Sequence, residues 1–183
     1  SPMAIAVTQV YDQWHSLLDN KDIRQLDEHH RRSLQQFLPT LNLSVSTDES
    51  MAISRIQRGG IIIAGSGMCT GGRIRHHFKQ TIWKESTTVI FTGFQARGTL
   101  GRQLVDGIKT FNLFGEDYIV KANIETLGGF SAHAGQKELI DWLAHFENEP
   151  RVALVHGEPK AQDVLAEKLW QEKGISAEIP AIG

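Results

Sequence analysis

The sequence is short of several things, and each shortage removes a class of protein from consideration. It has one cysteine, Cys69, so no internal disulfide can form. A lone thiol fits a reducing setting, and the cytoplasm is the expected location. The longest apolar runs, such as "IIIA", fall far below the roughly 20 residues that cross a bilayer, and no basic, apolar, small-residue leader pattern opens the chain. No membrane partner is expected. The net charge is only -2, which excludes a surface coated in positive charge; any contact with nucleic acid has to come from a local patch. Neither an H-x-H nor an H-E-x-x-H is present, and neither is a G-x-G-x-x-G or a G-K-[ST] phosphate loop. No internal repeat or low-complexity stretch is visible.

What is present suits one domain or one and a half. The chain has 183 residues, 40% of them hydrophobic, enough to bury a real core. "SPMAIAVTQVYDQWHSLL" predicts a helix from its first residues, with Ser1 as cap, Pro2 at the first helical position, and Met3, Val7, Val10, Trp14 and Leu17 at steps of three and four. So abrupt an entry is expected of a piece of something longer. A polar helix is expected around residues 22 to 37, a short strand at "LNLSV", and a short helix opened by a capping box of Ser46 and Glu49. From Gly59 the pattern is cleaner. "IIIAG" predicts a buried strand, "GGRIRHHFKQTIW" a helix, "TTVIFTGF" a strand and "GTLGRQLVDGI" a helix. "TFNLFGEDYIVKANIETL" predicts a hairpin turning at Gly115, Glu116 and Asp117. Strand and helix then alternate to a closing strand in "SAEIPAI". The expected fold class is α/β, a mostly parallel sheet with helices on both faces.

In such sheets the working residues collect on loops beyond the carboxyl ends of the strands. "AGSGMCTGGR", residues 64 to 73, has four glycines in ten positions between a strand and a helix. Backbone N–H groups there can approach an anion closely, with Ser66, Gly67, Gly71, Gly72 and Arg73 as candidate contacts. Arg75, His76, His77 and Lys79 add a basic face to the following helix. A second loop, "GFQARGTLGR", puts Gln95, Arg97, Thr99 and Arg102 at the end of the next apolar strand. Two phosphate-suited loops on one sheet edge point to a polyanion rather than a single phosphate. Two further loops hold His133, in "GGFSAHAGQ", and His156, in "VALVHGEPK". A pair of histidines at strand ends among small residues points toward chemistry. They do not make a metal site by themselves, because a catalytic zinc takes at least three protein ligands. His29 with His30, and His76 with His77, are helix neighbours whose side chains diverge by about 100°.

"SPMA", "IIIAGSGMCTGGRIRHHF", "FTGFQARGTLGRQLVDG", "GGFSAHAGQKELIDWL" and "VALVHGEPKA" stand in the order found in the β-CASP ribonucleases of the metallo-β-lactamase superfamily, which the chain resembles from Ser1 almost to its end, least between about residues 20 and 58. The resemblance implies a β-CASP domain over 1–115 and, over 116–183, the carboxyl-terminal strands and helices of a metallo-β-lactamase domain whose H-x-H-x-D-H motif lies upstream. It implies a zinc-dependent ribonuclease with two zinc ions, most of whose ligands lie outside this chain. It also implies a fragment that is inactive alone. Carried over by motif, His156 is a zinc ligand, and His133 lies at the scissile phosphate, binding it or protonating the leaving 3′ oxygen. The two glycine loops and Ser131 grip the RNA backbone, and Glu158 orients a ligand. Expected partners are single-stranded RNA, the upstream domain and a second copy of the protein. The chain departs from the family pattern at Gly135 and at Arg97, each standing where an acidic residue is usual. A non-catalytic β-CASP module that holds RNA or a nuclease partner is the alternative, and an ordinary nucleotide-binding α/β domain a third reading.

Overall fold

Pro2 opens helix α1 (Pro2–Gln13), where a fixed φ and a missing N–H cost nothing. The computed structural model describes residues 2–14, 33–56, 58–130, 133–148 and 150–181. The expected Ser1 cap, Ser131 and most of the helix expected over 22–37 lie outside those residues. Two units divide the chain, Ser1–Ser131 and Ala132–Gly183.

In the first unit, helix α2 (Leu34–Phe37) is capped by Ser33, whose Oγ accepts the Gln36 N–H at 3.2 Å. Helix α3 (Thr47–Ala52) carries the predicted capping box: Glu49 N–H donates to Ser46 Oγ at 3.1 Å, and the Glu49 carboxylate accepts Ser46 N–H at 2.9 Å. The backbone N–H groups of Ser46 and Val45 on that carboxylate hold its pKa below the ordinary value.

Helix α4 (Gly72–Thr81) buries Phe78, and Ile82 just beyond its end, against strand β1 (Thr88–Phe91) and helix α5 (Leu100–Val105). Strand β2 (Thr110–Leu113) and strand β3 (Glu116–Ile119) form the predicted hairpin. Its turn is tighter than the sequence suggests: Phe114 and Gly115 occupy it with φ of 56° and 82°, while Glu116 and Asp117 pair in β3. Two left-handed residues match the right-handed twist of the flanking strands, which is why the loop needs only two. Strand β4 (Asn123–Thr126) runs parallel to β1, Thr88 facing Asn123 and Phe91 facing Thr126. The core of this unit is Cys69, Phe78, Ile82, Phe91, Leu104, Phe111, Leu113 and Ala122. Burial pushes the Cys69 thiol up to about 11. Since the thiolate is the nucleophile, iodoacetamide is expected to label folded chain on the order of a hundredfold more slowly than urea-unfolded chain at mildly alkaline pH. Equal labelling rates would contradict the burial.

In the second unit, helix α6 (Gln136–Leu143) follows Gly135, whose N–H donates to Glu138 Oε2 at 2.6 Å. Strand β5 (Val152–Ala153) pairs in parallel with strand β6 (Ala177–Glu178), and helix α7 (Pro159–Lys173) crosses between them to a left-handed Gly174 cap with φ of 68°. Ile140 and Leu169 are its buried anchors.

The fold is α/β. Among the described residues the strands stand in three two-stranded sheets, two parallel and one antiparallel. "LNLSV" and "IIIAG" run without strand pairing. The latter is not the buried strand its β-branched residues suggest, for Ile61 is 94% and Ile63 77% exposed. A β-branched run encodes an extended backbone, but a strand also needs a partner edge.

Candidate functional site

The 64–73 loop reverses through three left-handed residues, Ser66, Cys69 and Gly72, with φ of 66°, 60° and 70°. Two are not glycine, and such conformations persist only where surrounding bonds fix them. Here Cys69 N–H donates to Ser66 O at 2.9 Å, Gly71 N–H donates to Ser66 Oγ at 3.1 Å, and the Ser66 and Thr70 hydroxyls pair at 3.3 Å. Gly67 and Gly71 have open space where a Cβ would stand. A Cβ on Gly72 would approach Gly65 O at 3.1 Å.

Arg73 turns inward. Its guanidinium donates to Ser44 O at 2.8 Å and Val45 O at 2.7 Å, fastening the 41–45 segment to the start of α4. Gln95 is only 6% exposed. Its Nε2 donates to Gly67 O and to Gly93 O, both at 3.0 Å, and Gly101 N–H donates to Met68 O at 3.0 Å. The two glycine loops are thus brought together and pinned. Thr99 caps α5, its Oγ1 accepting Arg102 N–H at 3.2 Å and donating to Ala96 O at 2.7 Å. Arg97 is exposed. Of the candidate contacts in the first unit, Ser66, Arg73, Gln95 and Thr99 therefore make bonds that build the loops, while Arg97 is exposed and the Cβ positions of Gly67 and Gly71 meet open space.

On the adjoining helix, His77 is buried, and burial, helped by the charges of His76 and Arg73, lowers its pKa below the ordinary histidine value. His76 stacks on Phe114 with ring centroids 4.9 Å apart, and the Arg75 guanidinium lies 4.6 Å from the centre of the same ring. The sequence pattern missed Gly101 and the Ser44 and Val45 carbonyls, because nothing local to them signals a partner more than twenty residues away.

His133, His156 and Glu158 belong to the second unit. His133 is exposed in the turn ahead of α6. His156, also exposed, follows β5 with φ of 61°, a left-handed conformation that is uncommon outside glycine and marks a fixed turn. Glu158 stands at the cap of α7, and its Oε1 is buried without a hydrogen-bond partner among the described residues. An unsatisfied carboxylate oxygen two positions along the chain from an exposed imidazole is an acceptor still in want of a donor. No three His, Cys, Asp or Glu side chains gather as a metal cluster among the described residues. One imidazole is part of a zinc ligand set, not a whole one. None of the described helices is long and apolar enough to cross a membrane.

Residues 1–104 match the family described as the Beta-Casp domain. Residues 117–180 match the family described as the Zn-dependent metallo-hydrolase RNA specificity domain. The chain is 38% identical over 159 residues to ribonuclease TTHA0252 of Thermus thermophilus, covering 86% of this chain and 35% of that protein. It is 40% identical over 126 residues to the transcription termination factor FttA of Pyrococcus horikoshii, covering 66% of this chain and 19% of that protein. The corresponding factor of Methanococcus maripaludis is 36% identical over 119 residues, 62% of this chain and 19% of that protein. The chain thus spans about a third or less of the length of these relatives.

Proposed function

The chain belongs to the β-CASP family of the metallo-β-lactamase superfamily, and from that premise we propose that it is part of a zinc-dependent ribonuclease that hydrolyses RNA phosphodiester bonds in RNA processing or decay. The observation that carries this reading is His156, a non-glycine residue held at φ of 61° two positions before Glu158, whose buried Oε1 has no hydrogen-bond partner among the described residues, in the segment that matches a zinc-dependent metallo-hydrolase family. His156 is a zinc ligand, and Glu158 holds its orientation. His156 would hold one of two zinc ions whose other ligands would come mostly from a metallo-β-lactamase domain, and the bound metal would supply Lewis-acid polarisation of the phosphodiester and hydroxide at neutral pH. The glycine loops seat the RNA backbone where Gly67 and Gly71 carry no side chain to bar its approach, and Arg97 adds charge at their edge. His133 gives its proton to the leaving 3′ oxygen as the P–O bond breaks. Single-stranded RNA and the metallo-β-lactamase domain are the partners of this chain, and alone it does not cut.

The test is His156→Ala in a protein that carries both the metallo-β-lactamase domain and this chain. Zinc content is expected to fall together with cleavage, with metal affinity down by at least about tenfold. Unchanged zinc stoichiometry would remove His156 from the ligand set. One observation favours a second reading, in which the module binds RNA without cutting it: Gly135 stands after "SAHA", and glycine has no carboxylate to offer.

A further inference from the structure

A cleft of about 540 Å³ opens in the first unit between the two glycine loops, helix α5 and strand β2. Its floor is apolar, built from Leu100, Ile108 and Phe111, and its rim is polar, carrying Thr70, Arg75 and Gln103. The volume lies in the range of small-molecule sites. We propose that this cleft receives one nucleobase of the bound RNA, so that the strand is held by a base as well as by its backbone.

The inference rests on the RNA-binding reading above and names a subsite within it. Three observations carry it. The walls are preformed: Gln95 Nε2 ties Gly67 O to Gly93 O, and Gly101 N–H donates to Met68 O, so the loops flanking the cleft keep a fixed separation. The rim has donors to spare, for the Arg75 guanidinium is parked 4.6 Å from the Phe114 ring centre without a carboxylate partner among the described residues. Gln103 is exposed on α5 at the cleft mouth. The floor decides the ligand: a phosphate pushed onto leucine, isoleucine and phenylalanine would lose its water for nothing, whereas a base has an apolar face for the floor and a polar edge for the rim. A backbone seated on the loops, at Gly67 or Gly98 where no heavy atom lies within 4 Å of a Cβ position, has a base within reach of the opening between them.

The experiment measures binding of the full chain to a short single-stranded RNA in which each nucleotide in turn is made abasic. One position is expected to lose about tenfold in affinity while the others change little. Gln103→Trp, which fills the mouth, is expected to lower affinity for intact RNA by a similar factor and to erase the effect of that position. Gln103→Ala leaves the mouth open and keeps the loss at the same nucleotide, lessened by the one amide it removes; disappearance of that loss there too would assign the effect to a disturbed helix and overturn the proposal. A flat abasic profile with RNA still bound overturns the base subsite but leaves the RNA reading standing. Failure of intact RNA to bind overturns both.

Discussion

His133→Ala, in a protein that carries both this chain and the metallo-β-lactamase domain, is expected to cut labelled single-stranded RNA about a hundred- to ten-thousandfold more slowly than wild type, with zinc content and RNA affinity retained. The 3′ oxygen leaves as an alkoxide unless a proton reaches it, and a positioned acid supplies that proton in the transition state. His133 is exposed in the turn ahead of α6, as the proposed role requires. Removing the imidazole takes away proton delivery and leaves hydroxide supply and backbone binding in place, so the three readouts separate. If zinc falls along with activity, His133 is a ligand and not the acid. If wild type binds RNA and cuts nothing, the non-catalytic reading prevails, and Gly135→Asp is the substitution to test for restored activity.

Gly101→Ala is expected to destabilise the first unit by about 3 kcal/mol, read as a lowered urea midpoint with an unchanged slope. A Cβ on Gly101 would stand 1.8 Å from Gln95 Oε1, 2.9 Å from its Cδ and 3.1 Å from Met68 O. Gln95 has nowhere cheap to go. Its amide is buried and donates to two carbonyls, so moving it breaks both bonds, and moving α5 instead breaks Gly101 N–H to Met68 O. Shortening the obstacle is the control: Gln95→Ala is expected to recover part of the loss when combined with Gly101→Ala, a non-additivity that distant substitutions do not show. A wild-type midpoint for Gly101→Ala alone would mean that the loops are not packed as described.

These two positions mark what a sequence exposes and what it hides. The capping box at Ser46 and Glu49, the hairpin through Phe114 and Gly115, and helices α4 and α5 depend on residues a few positions apart, and their signals are local. The glycine loops and the histidine turns were legible for the same reason, since glycine density and strand-to-helix changes stand side by side in the chain. The inward roles were not legible. Arg73 looks like a surface cation until its guanidinium is found on carbonyls 28 and 29 positions earlier. Gln95 looks like a loop contact until its amide is found bridging carbonyls 28 positions and two positions away. Polar residues beside glycines suit an anion or a neighbouring backbone equally well, and only tertiary structure chooses between them. The left-handed φ of His156 had only a faint signal, because histidine enters that conformation more often than most residues and still seldom. The "IIIAG" run failed as a buried strand because pairing belongs to two segments, and one of them alone encodes half of it.

That last run has a consequence for handling the protein. An extended, β-branched segment whose N–H and C=O groups find no strand partner among the described residues is a template on which another molecule can lay a strand, and Ile61 and Ile63 offer it apolar side chains as well. Arg55 and Arg58, which stand just ahead of the run, act as gatekeepers: edge-to-edge stacking of two copies brings like charges together and is opposed as long as salt is low. Light scattering from concentrated stocks of the chain is therefore expected to rise with added salt.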